Sequence, residues 1–248
     1  MDTTMDTPNQ ITFYDIASGP PVHPYAPNPW KARYALNYTH VSYTTQWVEL
    51  PDVTATRKSL NLKACRRHAD DTDFYTLPVI HDHSSDTLVG DSFDIALHLD
   101  TKSDRPLFRP GTTALHRGFN AYADSLFTSF VPLAAYYLPF NPDSAHISKA
   151  EFCRRAGREL SEFEIKGKAR QDMLKAFEEG LVPLTAWFVK RDEGPFLEGR
   201  EVMYADFIIG GWLQFFRNTL PEWSDLKSWH DGLFGKLFDA LEEWADVQ

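Results

Sequence analysis

The stretch that decides the fold is Tyr75–Ile80, with the sequence Tyr-Thr-Leu-Pro-Val-Ile, followed by Gly90–Phe93, with the sequence Gly-Asp-Ser-Phe. The first reads as a strand that contains a proline, and proline cannot donate to a sheet ladder, so the strand lies at an edge or marks a special backbone geometry. A cis bond before Pro78 is one such geometry. The second reads as a helix start whose free N–H groups, with Asp91 and Ser92, can hold a charged ligand group. We predict that the two segments form one binding site.

The remaining elements of the first hundred residues follow from local patterns. Alternation of apolar and polar residues predicts further strands at Ile11–Ile16, Tyr43–Leu50 and Thr87–Val89. Asn28 is predicted to cap a helix between the first two strands, with Pro29 as its first helical residue. Another helix begins at Ser92. The resulting order β-α-β-(α)-β-β-α is the thioredoxin-like pattern, and it predicts an N-terminal α/β domain at residues 11–103.

The second half of the chain has a different character. Residues 104–111 contain Pro106 and Pro110 and are predicted to be an interdomain linker. Residues 112–248 are predicted to form an all-helical C-terminal domain. One predicted helix has apolar residues on a single face: Leu115, Phe119, Tyr122, Leu126 and Phe130. Residues 1–10 are predicted to be a polar tail.

The composition predicts a folded, soluble protein. With 248 residues, 43% hydrophobic and 14% aromatic, the chain can bury a sizeable core. Its formal charge of −10 argues against nucleic acid or an anionic membrane surface as a partner. Cys65 and Cys153 are too few for a disulfide framework, and no metal-ligand spacing is present. The start has no leader-like pattern and no window is long and apolar enough for a membrane helix, so we expect a cytoplasmic protein without a metal.

An α/β domain followed by a helical domain, with the Leu-Pro-Val-Ile strand and the Asp-Ser helix start, resembles the cytosolic glutathione transferases over essentially the whole chain. The run Tyr25–Arg33, Tyr-Ala-Pro-Asn-Pro-Trp-Lys-Ala-Arg, is similar to the etherase-related fungal-specific class A (FuA) group, whose first helix is entered through Ser-Pro-Asn-x-Trp-Lys-x-Arg. Asp206 matches the acid of a family capping box, although Met203 replaces the capping hydroxyl. Ala26 stands where the related enzymes carry the serine that hydrogen-bonds the glutathione sulfur.

The resemblance implies that glutathione is the co-substrate. It also implies which residues bind each part of the glutathione molecule. The backbone of Leu77, before the cis residue Pro78, pairs with the cysteinyl part as one more strand. Asp91 suits the ammonium and Ser92 the carboxylate of the γ-glutamyl end. Taken alone, the two segments are also compatible with an ordinary edge strand and a simple helix cap. The cation for the glycyl carboxylate is left open among Lys63, Arg66, Arg67, His68, Lys31 and Arg33.

The group that activates the sulfur is the open chemical question. A free thiol has a pKa of about 8.5, so a transferase must favour the thiolate near neutrality. Asn28 can donate through its amide, and a helix N-terminus favours an anion. Its alternative role is to cap its own helix. We predict Asn28 as the catalytic residue, with Tyr14 and Tyr25 as weaker candidates.

The resemblance also implies an acceptor pocket between the domains, a homodimer and a role in detoxification. Trp30, Phe119 and Tyr122 are predicted to bind hydrophobic aromatic or phenolic ligands, and the alternative for each is the core. The implied reaction is attack of the thiolate on an electrophilic or ether-bearing carbon, or on a peroxide. Because Ala26 lacks a hydroxyl, a non-catalytic ligand carrier (a ligandin) on the same fold is the alternative. A structural or regulatory protein that no longer uses the pocket is a third possibility.

Overall fold

The computed structural model describes residues 11–68 and 71–248, so the predicted tail at 1–10 lies outside the described residues. The strands are β1 (Ile11–Ile16), β2 (Tyr43–Val48), β3 (Arg66–Arg67), β4 (Asp73–Phe74), β5 (Val79–Asp82) and β6 (Thr87–Gly90). The helices are α1 (Pro27–Tyr38), α2 (Val53–Ser59), α3 (Ser92–Asp100), α4 (Thr113–Thr128), α5 (Pro132–Ala135), α6 (Ala145–Ala156), α7 (Gly167–Thr185), α8 (Tyr204–Thr219) and α9 (Trp223–Leu241). Non-helical backbone at Trp229–Gly232 interrupts α9.

The first half of the chain is built on a mixed four-stranded sheet with the order β2-β1-β5-β6. Strand β1 is parallel to β2 and antiparallel to β5, and β5 is antiparallel to β6. On one face Phe13 and Ile80 belong to the main core, while Val79 belongs to a smaller cluster with Val53 of α2. The predicted thioredoxin-like arrangement is confirmed, with helices following from α4 onward.

Helix α1 begins earlier than predicted. Its N-cap is Ala26, whose backbone is extended (φ −74°, ψ 139°), and Pro27 is its first residue. Asn28 therefore lies inside the first turn, and the prediction of an Asn28 cap is wrong. The physical reason is that Pro27 serves as well as Pro29 at a helix start, since a proline there loses no hydrogen bond and has a helical φ.

Helix α8 is the buried centre of the helical half and contacts α1 closely. A Cβ on Gly211 would lie 2.5 Å from the Pro27 carbonyl oxygen, so only glycine permits this approach. Asp206 caps the helix as predicted, because its carboxylate accepts from the backbone N–H groups of Leu197 and Met203, both at 2.8 Å. The close approach at Gly211 packs the first turn of α1 against α8.

The apolar stripe predicted on α4 is only partly correct. The buried residues of the helix are Phe119, Ala123 and Phe127, and Phe130 lies beyond its end. Leu115 is 71% exposed. At about 100° per residue the predicted residues do lie in one stripe, but the buried residues Ala123 and Phe127 lie on a face rotated away from it, and only Phe119 belongs to both.

The connection between the two halves is anchored in the core. Leu107 and Phe108 are buried. Asp100 accepts from their backbone N–H groups at 2.6 and 3.3 Å, respectively, and the Leu107 carbonyl accepts from Tyr204 N–H at 3.0 Å. The domain boundary at residues 104–111 stays a prediction. In the described ranges, 11–68 and 71–248, no helix has the length and apolar character needed to cross a membrane.

Candidate active site

The structure brings together the two segments that the sequence analysis singles out. The Leu77-Pro78 peptide bond is cis, as predicted. The Pro78 carbonyl oxygen accepts from the backbone N–H of Asp91 at 3.3 Å. Leu77 precedes the first paired residue of β5, Val79, so its backbone lies beyond the end of that ladder. An extended ligand beside Leu77 would therefore end close to the start of α3.

Asp91 and Ser92 form the start of α3 but face different surroundings. Asp91 is exposed, has φ 99°, and its Oδ1 accepts from Phe93 N–H at 2.9 Å. Ser92 is 3% exposed. Burial raises the pKa of the Tyr204 phenol well above its usual range, and the nearby Ser92 hydroxyl offsets part of this effect. The two hydroxyls are not well aligned, since the buried Tyr204 oxygen has no hydrogen-bond partner of good geometry within the described residues.

A pocket of about 590 Å³ lies against this helix start, between the α2–β3 connection and α4. Asp91, Lys63, Cys65 and Asn120 line it. Of the basic residues proposed from the 52–73 segment, only Lys63 is part of this lining. Arg66 lies over the Phe74 ring, Arg67 pairs with Asp73 at 3.4 Å, and His68 lies 4.4 Å from the Phe74 ring centre.

Arg57 of α2 is a part of this site that the sequence analysis missed. It is 4% exposed, and it donates to the carbonyl oxygens of Thr76 at 2.8 Å and of Lys63 at 3.1 Å. A Cβ on Gly90 would lie 2.8 Å from its guanidinium. Arg57 thus joins the segment before Leu77 to the segment that carries Lys63. No local pattern identifies it, because both acceptors are backbone groups set by the fold.

The first turn of α1 offers few hydrogen-bond donors. Pro27 and Pro29 have no N–H, and Trp30 N–H donates to the Ala26 carbonyl oxygen at 3.2 Å. The donors left in this turn are the backbone N–H and the side-chain amide of Asn28, which is half-buried. Ala26 itself is 6% exposed and contributes only a methyl group.

Comparison with known proteins identifies the family. The glutathione S-transferase N-terminal domain model matches residues 25–102, and the corresponding C-terminal domain model matches residues 114–244. The chain belongs to the glutathione S-transferase family. The predicted fold class, a thioredoxin-like domain followed by a helical transferase C-terminal domain, is confirmed.

Fungal transferases are among the most similar structures. CsGST63524 of Ceriporiopsis subvermispora, solved in complex with glutathione, is 29% identical, with a TM-score of 0.86 over 97% of this chain and 99% of that chain. GSTFuA3 of Phanerochaete chrysosporium is 28% identical, with a TM-score of 0.84 over 96% of this chain and 98% of that chain. The glutathione S-transferase-like protein ustS of Aspergillus flavus is 28% identical over 100% of this chain and 95% of its own length. The predicted resemblance to the FuA group is confirmed.

One turn into α1, the protein carries a buried polar cluster. Lys31 is fully buried, and its Nζ donates to Asp124 at 2.5 Å and to Asn120 at 2.9 Å. The Trp212 indole N–H also donates to Asp124, at 2.7 Å. Burial lowers the pKa of Lys31, and the carboxylates of Asp124 and Asp91 oppose the shift. The cluster therefore ties α1 to the α4 face that lines the pocket.

Arg33, another sequence candidate for the glycyl carboxylate, belongs to the core of the protein. It is fully buried and donates to Asp15 at 2.6 Å and to the Tyr43 hydroxyl at 3.2 Å. Lys31 and Arg33 were both named above as candidate cations for the glycyl carboxylate, and the structure buries both of them. Their partners lie far away in the sequence, so their burial could not be read from the helix alone.

The tyrosines named as weaker sulfur partners differ in burial. Tyr25 is 4% exposed, and burial raises the pKa of its phenol. Its ring contacts Phe140 edge-on, with centroids 6.5 Å apart. Tyr14 on β1 is half-buried and packs against the cluster that contains Leu77. Near neutral pH the Tyr25 phenol is therefore protonated, and it can act only as a neutral hydrogen-bonding group.

The three predicted hydrophobic-ligand residues are not brought together. Trp30 is buried, donates from its indole N–H to the Pro24 carbonyl oxygen at 3.2 Å and packs against Tyr34. Phe119 and Tyr122 instead contact Trp187, with ring centroids 4.8 and 6.0 Å away, respectively. Among residues 11–68 and 71–248, no group of three or more His, Cys, Asp or Glu could hold a metal ion. The expectation that the protein uses no metal stays a prediction.

Proposed function

We propose that this transferase binds glutathione with the cysteinyl part beside the backbone of Leu77 and Pro78 and the γ-glutamyl end at Asp91 and Ser92. The observation that carries the proposal is the contact between the Pro78 carbonyl and the Asp91 N–H at 3.3 Å, beside a pocket of about 590 Å³. One extended tripeptide can span both places. Glutathione in the related Ceriporiopsis structure supports the choice of ligand.

The charges of the pocket suit the two ends of glutathione. Asp91 is exposed and uses only Oδ1 to accept from Phe93 N–H, so Oδ2 is available for the ligand ammonium. Lys63 lines the same pocket and is the proposed partner of the glycyl carboxylate. Arg57 is proposed to position Lys63, because its guanidinium donates to the Lys63 carbonyl oxygen at 3.1 Å.

The proposed reaction is transfer of the glutathione thiol to an electrophilic or ether-bearing carbon. The thiol loses its proton to solvent, the thiolate forms the carbon–sulfur bond, and the leaving group departs with the electron pair and is protonated. Asn28 is the proposed catalytic residue, because its N–H and amide are the donors left in the first turn of α1. A donor to sulfur favours the thiolate over the thiol.

The alternative function is a non-catalytic carrier, a ligandin, for hydrophobic aromatic or phenolic molecules. A specific feature favours it: Ala26 has no hydroxyl, and the prolines on both sides of Asn28 remove two more donors. A thiol that stays protonated near neutrality is a poor nucleophile. The same protein would then bind glutathione and aromatic ligands without joining them.

The wider context of the proposal comes from the family resemblance. We propose a cytoplasmic homodimer with a role in detoxification, with no nucleic acid, membrane or metal as a partner. The domain boundary at residues 104–111 belongs to the same proposal. Sedimentation of the purified chain over a range of concentrations tests the dimer, and a monomer at all concentrations would contradict it.

Glutathione binding is tested first, and transfer of its thiol is tested second. We expect the full chain to be retained on immobilised glutathione and eluted by free glutathione. The ultraviolet absorbance of bound glutathione near neutral pH then reports whether the sulfur is a thiolate, and conjugation to an electrophilic aromatic halide reports transfer. A folded chain that is not retained contradicts the proposal. Retention with a neutral thiol and no conjugation selects the carrier.

A further inference from the structure

One wall of the proposed glutathione pocket belongs to a cationic segment of an acidic protein. The chain has 25 Lys and Arg residues against 35 Asp and Glu residues, a formal charge of −10. Residues 61–65 line the pocket. The segment around them, residues 53–68, has no Asp or Glu and contains these cations: Arg57, Lys58, Lys63, Arg66 and Arg67. Positive charge concentrated beside an open pocket favours an anionic ligand.

Three of these cations are exposed and keep their charge uncompensated. Among residues 11–68 and 71–248, no Asp or Glu forms an ion pair with Lys58, Lys63 or Arg66. Arg67 differs, because its guanidinium lies 3.4 Å from the Asp73 carboxylate. The positive field at this wall therefore comes mainly from the three unpaired side chains.

Aromatic rings hold two of these side chains in place. The guanidinium carbon of Arg66 lies 4.3 Å from the centre of the Phe74 ring, and Lys58 Nζ lies 5.4 Å from the centre of the Tyr75 ring. A ring attracts a cation through its quadrupole but carries no net charge. Both side chains are thus ordered while their positive charge stays available to a ligand.

Lys58 and Arg66 lie beside the pocket and are not part of its lining. Each directly follows a lining residue, Arg57 and Cys65, respectively. Consecutive Cα atoms are about 3.8 Å apart, and the Debye length is about 8 Å at physiological ionic strength. The two charges therefore act on an anion that reaches the mouth of the pocket.

A second cavity beside α4 has the opposite arrangement. It has a volume of about 340 Å³, and His116 and Phe119 are among its lining residues. Arg109 is the one Lys or Arg in its lining within the described ranges, and it lies 2.7 Å from Glu201 and 3.6 Å from Glu198. Carboxylates offset the cation there, so the two cavities differ in uncompensated positive charge.

We propose that Lys58 and Arg66 form an encounter site that draws glutathione to the pocket by its glycyl carboxylate. Glutathione has two carboxylates and one ammonium, so its net charge is about −1 near neutral pH. Its γ-glutamyl end carries both signs of charge and its glycyl end only the negative one, so the two cations attract the glycyl end. They speed and orient association, whereas Lys63 contacts the bound ligand. This proposal rests on the proposed function, because it concerns the arrival of glutathione at that same site.

The first experiment compares the full chain with the double variant Lys58→Gln/Arg66→Gln. Line shapes of isotope-labelled glutathione in NMR titrations give both the association and the dissociation rate. At about 10 mM salt the Debye length is about 30 Å, and two unit charges about 8 Å from the anion then support an association rate about fivefold slower in the variant. The dissociation rate is expected to stay unchanged. At about 1 M salt, where the Debye length is about 3 Å, the difference is expected to vanish.

The matched control is the double variant Lys168→Gln/Lys175→Gln on α7. These lysines are exposed, and each already has a carboxylate partner, Asp172 at 2.9 Å and Glu179 at 3.6 Å, respectively. Neither lines the glutathione pocket. The control has the same formal charge as the test variant, and we expect it to associate as fast as the wild-type chain. Equal slowing in both variants would overturn the proposal, because total charge and not the position of the cations would then set the rate.

The second experiment uses glutathione whose glycyl carboxylate is a monoethyl ester. This probe keeps the thiol and the γ-glutamyl end but has no net charge. We expect its association rate to be nearly independent of salt and equal in the wild-type chain and in Lys58→Gln/Arg66→Gln. An ester that associates about fivefold more slowly with the variant would overturn the role of the glycyl carboxylate.

The outcomes separate the encounter site from the proposed function. A folded wild-type chain that does not bind glutathione contradicts both. Normal glutathione binding with equal association rates in the wild-type chain and the test variant at low salt overturns the encounter site alone. Faster dissociation from the variant also overturns it, because the two side chains would then contact the bound ligand. If the double variant does not fold, Lys58→Gln replaces it, and association about twofold slower is expected at low salt.

Discussion

The starts of α3 and α1 are two helix N-termini with opposite chemistry. At α3, Asp91 supplies a carboxylate that caps the helix, and buried Ser92 follows it. At α1, Ala26 supplies no side-chain cap, and two of the first three helical residues are prolines. The first is equipped to hold both charges of an amino-acid group. The second offers an anion little more than the hydrogen-bond donors of Asn28.

The comparison predicts that glutathione binding and sulfur activation depend on different helix starts in this protein. A helix N-terminus attracts an anion through its free N–H groups and its dipole, and prolines remove the first of these contributions while leaving the second. The α1 start therefore keeps a weak preference for an anion without a dedicated donor. Substitutions at the two sites are expected to act on different measured quantities.

The largest expected effect is at α3. Asp91→Asn keeps a side chain that caps the helix equally well but removes the negative charge that we propose faces the ligand ammonium. A charged hydrogen bond contributes up to about 3 kcal/mol, so we expect glutathione to bind at least tenfold more weakly. Titration of the folded variant measures this. Asp172→Asn, on the surface of α7, is the control, and equal affinity in both variants would remove Asp91 from the site.

The start of α8, where Asp206 accepts from backbone N–H groups, is a third helix N-terminus for this comparison. Burial raises the pKa of Asp206 to about 7, and hydrogen bonds from the backbone N–H groups of Leu197, Met203 and Asp206 itself oppose this. The folded state therefore holds the proton more tightly than the unfolded state, so the contribution to stability is full at acidic pH and is lost as the pH rises through about 7. Between about pH 5 and 8 we expect the unfolding free energy to fall by about 3 kcal/mol more than in Asp206→Asn. Denaturant titrations at both pH values check this, and parallel losses would contradict it.

At the α1 start, Asn28→Ala removes the side-chain donor and keeps the backbone one. We expect the thiol pKa of bound glutathione to rise by about one unit, or about 1.4 kcal/mol, with binding almost unchanged. The absorbance of the thiolate as a function of pH measures the shift. Asn218→Ala, whose amide bonds to the Gln214 carbonyl on α8, is the control. If Asn28→Ala leaves the thiol pKa unchanged, as the control is expected to do, the proposed role of Asn28 is wrong.

The smallest effect is expected from restoring the missing hydroxyl. Ala26→Ser places a hydroxyl at the helix cap. Its O–H can donate to the sulfur, but its oxygen can also accept from Asn28 N–H, since Pro29 has no N–H, and that would remove one donor from the sulfur. We expect the thiol pKa to fall by less than one unit and the conjugation rate to rise less than tenfold. Steady-state rates near neutral pH check this. An unchanged rate would mean that the hydroxyl is not what limits the reaction.

Local signals predicted most of the thioredoxin-like half. Strand β1 has the predicted bounds, Ile11–Ile16. The proximity of Pro78 and Asp91 follows from one short hairpin that leads from β5 into α3. These features depend on residues close together in the sequence, so alternation, turns and caps were sufficient.

The missed features depend on distant partners. Arg57 has its role because the Thr76 and Lys63 carbonyls are brought to it, and neither leaves a mark in the sequence. Lys31 is buried because Asp124 of α4 meets it. The position of Phe119, against Trp187 rather than in a shared cleft with Trp30, depends on which side of α4 each element contacts.

Helix α4 is a wall shared by two cavities that face different ways. Neighbouring residues alternate between them: His116 and Phe119 line one, while Arg117 and Asn120 line the other. Because a helix turns about 100° per residue, one substitution changes one lining and leaves its neighbour's surroundings intact. Selection can therefore alter the lining of either cavity without disturbing the other.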